Sequence, residues 1–290
     1  MRLSSKIKSI EASDLAKVNK AAKDLEAQGK KIIHLERGEP DFDTPKFISE
    51  AAYKAMLDGF THYPNLQGEI PLRKALAEKL NNENRIPCGI ENIAVVNGGM
   101  HGLYGALQCI CEPGDEVLIL TPYWLSISKL VFLTNGGVPK YMPYYLKVKE
   151  ENLPPERFRE ELLANLTPRT IAVYINSPNN PSGVAIPDSH LEVIAAVAKE
   201  KDLIVISDEA YEHIIFDGLK HRSIASLEGM AERTISVFAF SKSYAMTGWR
   251  LGYVVGPADF IALLWAKMIL YTSNGIATPI QVAGVAALKT

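Results

Sequence analysis

Thr234-Ile235-Ser236-Val237-Phe238-Ala239-Phe240-Ser241-Lys242 is a short apolar run that ends on an ammonium. Its β-branched and aromatic residues, without polar alternation, read as a strand covered on both faces. Similar runs precede it at Ile93–Val96, Glu116–Leu120, Ile171–Ile175 and Leu203–Ile206, and Gly252–Val255 follows. Helical segments fall between the strands at Met100–Cys111, Trp124–Thr134, Pro155–Asn165 and Pro187–Glu200, and another at Pro257–Leu270 comes after the last. This alternation predicts an α/β fold, a mostly parallel sheet with helices on both faces.

Upstream, Ser13 is placed to cap a helix in which Leu15, Val18, Ala22 and Leu25 recur at helical spacing, ending at Gly29. Lys31–Leu35 looks extended, and Gly38-Glu39-Pro40-Asp41-Phe42-Asp43-Thr44-Pro45 is a loop whose prolines forbid helix. Helices are expected at Lys46–Leu57 and Pro71–Glu83.

The chain of 290 residues is 47% hydrophobic and 22% charged, with a formal charge of −2, as expected of a globular protein with a sizeable core. Its dispersed Lys and Arg make no basic field for nucleic acid or an anionic membrane. Phe260–Leu270 is interrupted by Lys267 and too short to span a bilayer, and the N-terminal residues lack the apolar core of a secretion signal. Three cysteines without C-x-x-C spacing point to reduced thiols in a cytoplasm, and the six histidines show no metal-ligand spacing.

Unusual polar residues follow the strands: Asn97-Gly98-Gly99 the first, Tyr123-Trp124 the second, Asn176 to Pro181 the third, Asp208 the fourth and Lys242 the fifth. Ligands of open α/β sheets bind outside the carboxyl ends of the strands, so these elements point at one crevice. Gly98-Gly99 before a helix is either a plain turn or a phosphate cup made of free N–H groups. Lys242 is a solvated surface residue or, with its pKa lowered by desolvation, a nucleophilic amine. Asp208 either caps the next helix or keeps a pyridine nitrogen protonated, and Tyr211 either packs or donates to that ring's phenolic oxygen. Arg250 offers a planar fork to a phosphate or makes a surface ion pair, and Trp124 stacks on a ring or fills core. An amine and a carboxylate at neighbouring strand ends are what a pyridoxal phosphate site needs. No G-x-G-x-x-G follows a strand, and there is neither a Walker lysine nor a G-x-S-x-G serine.

Taken in order, Gly38-Glu39-Pro40-Asp41-Phe42, His62-Tyr63-Pro64, Gly98-Gly99, Pro122-Tyr123-Trp124, Asn176 to Gly183, Ser207-Asp208-Glu209-Ala210-Tyr211 and the lysine segment resemble the class I aminotransferases, pyridoxal-phosphate enzymes of fold type I, in their aspartate/aromatic branch. The resemblance runs from Arg2 to Thr290. It implies a large cofactor-binding domain at 46–290, with residues 1–45 contributing to a small domain. It implies Lys242 as the Schiff-base lysine, Asp208 as partner of the ring nitrogen, and Tyr211 with Asn180 as donors to the phenolic oxygen. The resemblance further implies Trp124 stacked on the ring, and the amides of Gly99, Met100 and His101 holding the phosphate with Arg250. It implies a homodimer in which Tyr63 reaches the phosphate of the neighbouring subunit, with Gly38 and Asn180 bordering the substrate. Cis bonds are implied before Pro122 and Pro181.

Three departures from the family pattern stand out. Ala239 occupies the position three before the lysine, where a Ser would give the phosphate a hydroxyl, and Met100 replaces a frequently polar residue. Each lost neutral hydrogen bond is worth roughly 1 kcal/mol, so weaker cofactor retention is expected. The family's C-terminal small domain, with the arginine that binds the substrate carboxylate, has no counterpart here, and a fragment of a longer product is expected. Transamination leads. Carbon–sulfur β-elimination shares nearly every residue named, and an inactive truncated homologue stands third. A regulatory module of the same fold would carry a DNA-binding segment ahead of a match that already begins at Arg2.

Overall fold

A computed structural model describes residues 2, 4–10, 14–35 and 38–289 and divides the chain into two compact units, residues 1–43 and 44–290. In the first unit, α1 (Ser5–Lys8) and α2 (Asp14–Glu26) are helical, and Gly29 ends α2 with a φ of +81° while Lys30 N–H donates to Leu25 O at 3.2 Å. Ser13, the expected cap, lies outside the described residues. Lys31–Leu35 joins no strand ladder, and His34 Nε2 sits 2.8 Å from Glu26 Oε1.

The second unit opens with α3 (Lys46–Leu57) and α4 (Ile70–Lys79). Then come β1 (Ile93–Val96), α5 (Gly99–Ile110), β2 (Glu116–Thr121), α6 (Ser126–Leu133), β3 (Val138–Pro143), α7 (Tyr145–Glu151), α8 (Pro155–Ala164), β4 (Thr170–Asn176), α9 (Asp188–Glu200), β5 (Ile204–Asp208) and β6 (Thr234–Ala239). The chain ends with α10 (Phe240–Ser243), β7 (Gly252–Val255), α11 (Ala258–Leu263), α12 (Leu270–Thr272) and α13 (Thr278–Ala287). A π-helical stretch, Leu264–Ile269, runs between α11 and α12 where one continuous helix was expected.

The sheet has seven strands in the order β1-β7-β6-β5-β4-β2-β3. Only β7 opposes the rest, pairing antiparallel with both β1 and β6. The expected strands are all present, and the sheet is mostly parallel. β3 was not expected: its two prolines read as turn signals, yet proline is tolerated on an edge strand, and β3 pairs only with β2.

Strand alternation divides the core. Ala94, Val117, Ile119, Tyr174, Ile206, Val237 and Val254 face α5, α6 and α11. On the other side, Leu118, Val173, Ile175 and Val205 pack on α7 to α9, and Val95, Phe238 and Tyr253 pack on α3, α4 and α13. Successive strand residues point to opposite faces, so Tyr174, Ile206, Asp208, Val237 and Ala239 share the α5 side.

One ion pair is built into this frame. Lys79, at the end of α4, pairs with Glu212, their side chains only 5% and 8% exposed. Asn84 accepts from Lys79 Nζ at 2.8 Å and donates to Glu212 Oε2 at 2.7 Å. Removing one partner of such a pair strands the other charge in a medium that solvates it poorly. Lys79→Met is expected to lower unfolding stability by about 3 kcal/mol, and adding Glu212→Gln to recover part of that loss, both read from denaturant midpoints.

Candidate active site

Because β7 runs against its neighbours, its first residues lie at the edge where β1 and β6 end. Arg250, two residues before β7, is thereby brought beside the Gly98-Gly99 turn that leaves β1. The turn needs its glycines. Gly98 has a φ of +78°, a conformation that glycine adopts readily, and it lies against the Arg250 guanidinium. A Cβ on Gly252 would lie 3.0 Å from both Gly98 C and Gly99 N. Arg250 Nη1 also donates to Thr247 O at 2.8 Å, which orients the fork.

The first N–H groups of a helix lack intrahelical acceptors. At the start of α5, His101 N–H donates to Gly98 O at 3.1 Å. The His101 side chain does other work: its Nδ1 accepts from Asn97 N–H at 3.1 Å, and its Nε2 lies 2.8 Å from Thr272 Oγ1. Thr272 Oγ1 donates to Met268 O at 2.8 Å, which leaves His101 Nε2–H as the donor between them. Burial pushes the His101 pKa down, consistent with this neutral form. The Met100 side chain is exposed, and Ala239 Cβ lies 3.7 Å from where a Gly99 Cβ would stand. Residue 239 therefore faces the turn.

The other end of the crevice is acidic. Asp208, at the end of β5, accepts from Tyr174 O–H on Oδ2 at 2.8 Å and from Ala210 N–H on Oδ1 at 3.2 Å. Burial pushes its pKa up to about 6 against these two donors, and the neighbouring charge of Glu209 adds to the rise. Lys242 Nζ lies 5.9 Å from the Tyr211 ring centroid, and Asn180 Nδ2 donates to Tyr211 Oη at 3.3 Å. Lys242 sits in α10, one turn past the strand, and its loop is fastened where Thr44 Oγ1 donates to Ala245 O at 2.5 Å and accepts from Trp249 Nε1 at 2.9 Å. Trp124 and Tyr123 pack half-buried against the α5-side core, with Tyr123 stacked on Tyr141.

The bonds before Pro122 and Pro181 are cis, and so is the one before Pro178, which was not expected. Tyr63 is 90% exposed, and Gly38 belongs to the first unit. Sequence reasoning missed two residues. One is Tyr174. The other is Asn176, whose Nδ2 donates to Asp208 O at 3.0 Å while its Oδ1 accepts from Asn180 N–H at 2.7 Å. The signal lay in strand pairing, since Asn176 is the register partner of Asp208. Among the described residues no cluster of His, Cys, Asp and Glu is arranged for a metal, and no helix is long and apolar enough to cross a membrane.

The sequence profile described as Aminotransferase class I and II matches residues 30–290. The chain belongs to that family. It is 38% identical over 290 residues to the aspartate/prephenate aminotransferase of Thermus thermophilus, covering 99% of this chain and 71% of that protein. It is 44% identical over 294 residues to the aspartate aminotransferase of Pyrococcus abyssi, covering 100% and 72%. The structure of aspartate aminotransferase from Thermus thermophilus with maleate superposes with a TM-score of 0.90 at 39% identity, over 99% of this chain and 73% of that one.

As an aminotransferase of this class the protein uses pyridoxal 5'-phosphate. The donor set fits that molecule: glycines beside a guanidinium suit the phosphate, a buried carboxylate suits the ring nitrogen, and the Lys242 amine lies beside the Tyr211 ring.

Two measurements follow from the geometry. Asp208 has a folded-state pKa of about 6 against an ordinary 3.8, so its stabilising contribution to the cofactor-free protein is complete below pH 3.8 and lost as pH rises through 6. At about 1.4 kcal/mol per unit this amounts to roughly 3 kcal/mol. Between pH 3 and 7 the cofactor-free wild type should lose about that much stability relative to Asp208→Asn. Ala239→Ser places a hydroxyl toward the Gly99 turn and is expected to tighten pyridoxal phosphate binding about fivefold, measured by equilibrium dialysis.

Proposed function

We propose that this aminotransferase moves an amino group from an L-amino acid to a 2-oxo acid by a ping-pong mechanism in which Lys242 is the covalent anchor of the cofactor and the base at the substrate's Cα. The supporting observation is the grouping of Lys242, Tyr211, Asn180 and Asp208 at adjoining strand ends. Bound pyridoxal phosphate supplies an electron sink for the pair left when Cα loses its proton.

The chain's own residues do the rest. Asp208 holds a proton on the ring nitrogen by presenting a buried negative charge. Tyr211 and Asn180 donate to the phenolic oxygen, with Tyr211 kept protonated because burial and the nearby Asp208 raise its pKa. The Lys242 amine would accept the proton that leaves Cα. Arg250 and the amides of Gly99, Met100 and His101 would hold the phosphate, and Trp124 would cover the ring and exclude water. Asn180 would border the substrate.

The exposure of Tyr63 supports a homodimer in which its hydroxyl serves the neighbouring site. The three free thiols support a cytoplasmic location. The names of the relatives, which act on aspartate, prephenate or aromatic amino acids, make aspartate the first donor to test.

Amino transfer from aspartate to 2-oxoglutarate should exceed release of pyruvate and ammonia from a β-substituted amino acid. Lys242→Ala should lower that transfer by at least ~10³-fold and abolish the visible absorbance of lysine-bound cofactor. Retained absorbance in the variant would falsify the assignment of Lys242.

A further inference from the structure

We propose that Tyr174 is a positioning residue for the cofactor, its hydroxyl holding the Asp208 carboxylate ionised and fixed in rotation for the ring nitrogen. This rests on the role proposed for Asp208 and extends it to a residue on a neighbouring strand.

Tyr174 lies on β4 opposite Ile206 of β5, and Asn176 lies opposite Asp208. The two-residue period puts the Tyr174 and Asp208 side chains on the same face as diagonal neighbours, within reach of a long aromatic. The hydroxyl covers the gap, donating to Oδ2 at 2.8 Å, while Ala210 N–H takes Oδ1 at 3.2 Å. With one donor on each oxygen, the carboxylate cannot turn about its Cβ–Cγ bond without breaking a bond, and each oxygen keeps a lone pair for another partner.

Tyr174 is itself 1% exposed and packed against the α5-side core, so its position is set by packing and not by the bond it donates. A hydrogen bond to an ionised acceptor is stronger than one to its neutral form, so this donor favours the anion. The same pairing drives the phenol's own pKa well above its ordinary value, after burial, which keeps it a donor throughout the working range. The other ionisable groups around Asp208 are Tyr145 from α7, Glu209 and Tyr211 from its own segment, and Lys242 beyond Tyr211. Glu209 pushes against the charge on Asp208, whereas Tyr174 supports it.

The test is Tyr174→Phe, which keeps the ring and removes one oxygen, compared with Asp208→Asn and the double variant. Pyridoxal phosphate affinity of the cofactor-free protein is measured between pH 6 and 9, and the Asp208 carboxyl is titrated by carbon-13 NMR. Tyr174→Phe is expected to weaken binding about tenfold near neutral pH and to raise the carboxyl midpoint by about one unit. In the Asp208→Asn background the same change should alter affinity less than twofold. An unmoved carboxyl midpoint overturns the inference, as does an equal loss in both backgrounds, which would mark a packing effect. If Tyr174→Phe folds poorly, site-specific 3-fluorotyrosine, a more acidic donor, should lower the midpoint, and no movement again overturns it. If Asp208→Asn alone leaves affinity unchanged, the proposed role of Asp208 fails. A weakened Asp208→Asn beside an unaffected Tyr174→Phe defeats this inference alone.

Discussion

A carboxylate buried against neutral donors is the constraint on which the site depends. The segment after β5 carries three acids, Asp208, Glu209 and Glu212, all buried. Glu209 is matched by His221 at 2.8 Å, with Ser223 and Ser236 also donating, and these partners hold its pKa below the ordinary range despite burial. Glu212 is matched by Lys79. The donors to Asp208 are a phenol and a peptide N–H, and its pKa rises. Three acids in five residues thus divide into two matched by charged partners in the fold and one, Asp208, left with neutral donors. In the role proposed for Asp208, a protonated ring nitrogen would supply the missing cation and offset the desolvation that disfavours the charge.

The opposite end of the site owes its form to topology. In a wholly parallel sheet the residue before a strand lies at the far edge from the ligand. Reversing β7 moves Arg250 to the edge where β1 and β6 end, and Gly252 lacks the Cβ that would crowd the backbone of Gly98 and Gly99. His101 then fastens the turn from within, accepting from Asn97 N–H while tied to Thr272 beyond α11. The phosphate end is held by backbone geometry that few substitutions leave intact.

Most of the sheet was legible because buried parallel strands are continuous apolar runs. The residues at their ends stood out because charged or amide groups there have no packing role. β3 escaped because its prolines carry the signature of a turn, and only its edge position, a property of the assembled sheet, makes them admissible. Tyr174 escaped for a related reason. Within Ile171–Ile175 it reads as one more aromatic in a strand, and its hydroxyl acquires meaning only when the register places Asp208 diagonally across. Asn176 was visible as part of a polar run, but that one amide serves both Asp208 and Asn180 is a fact of pairing. Local pattern identifies which residues are chemically unusual, and register decides which of them meet.

The two ends together make the site electrically polar. Arg250 places a cation beside the start of α5, and Asp208 places a carboxylate at the end of β5, with the Lys242 amine beside the Tyr211 ring. A ligand carrying a dianion at one end and a protonated nitrogen at the other is oriented by this field before any contact is made. The reversed pose sets like charges together at both ends. In the proposed roles, binding and orientation would therefore have the same electrostatic cause.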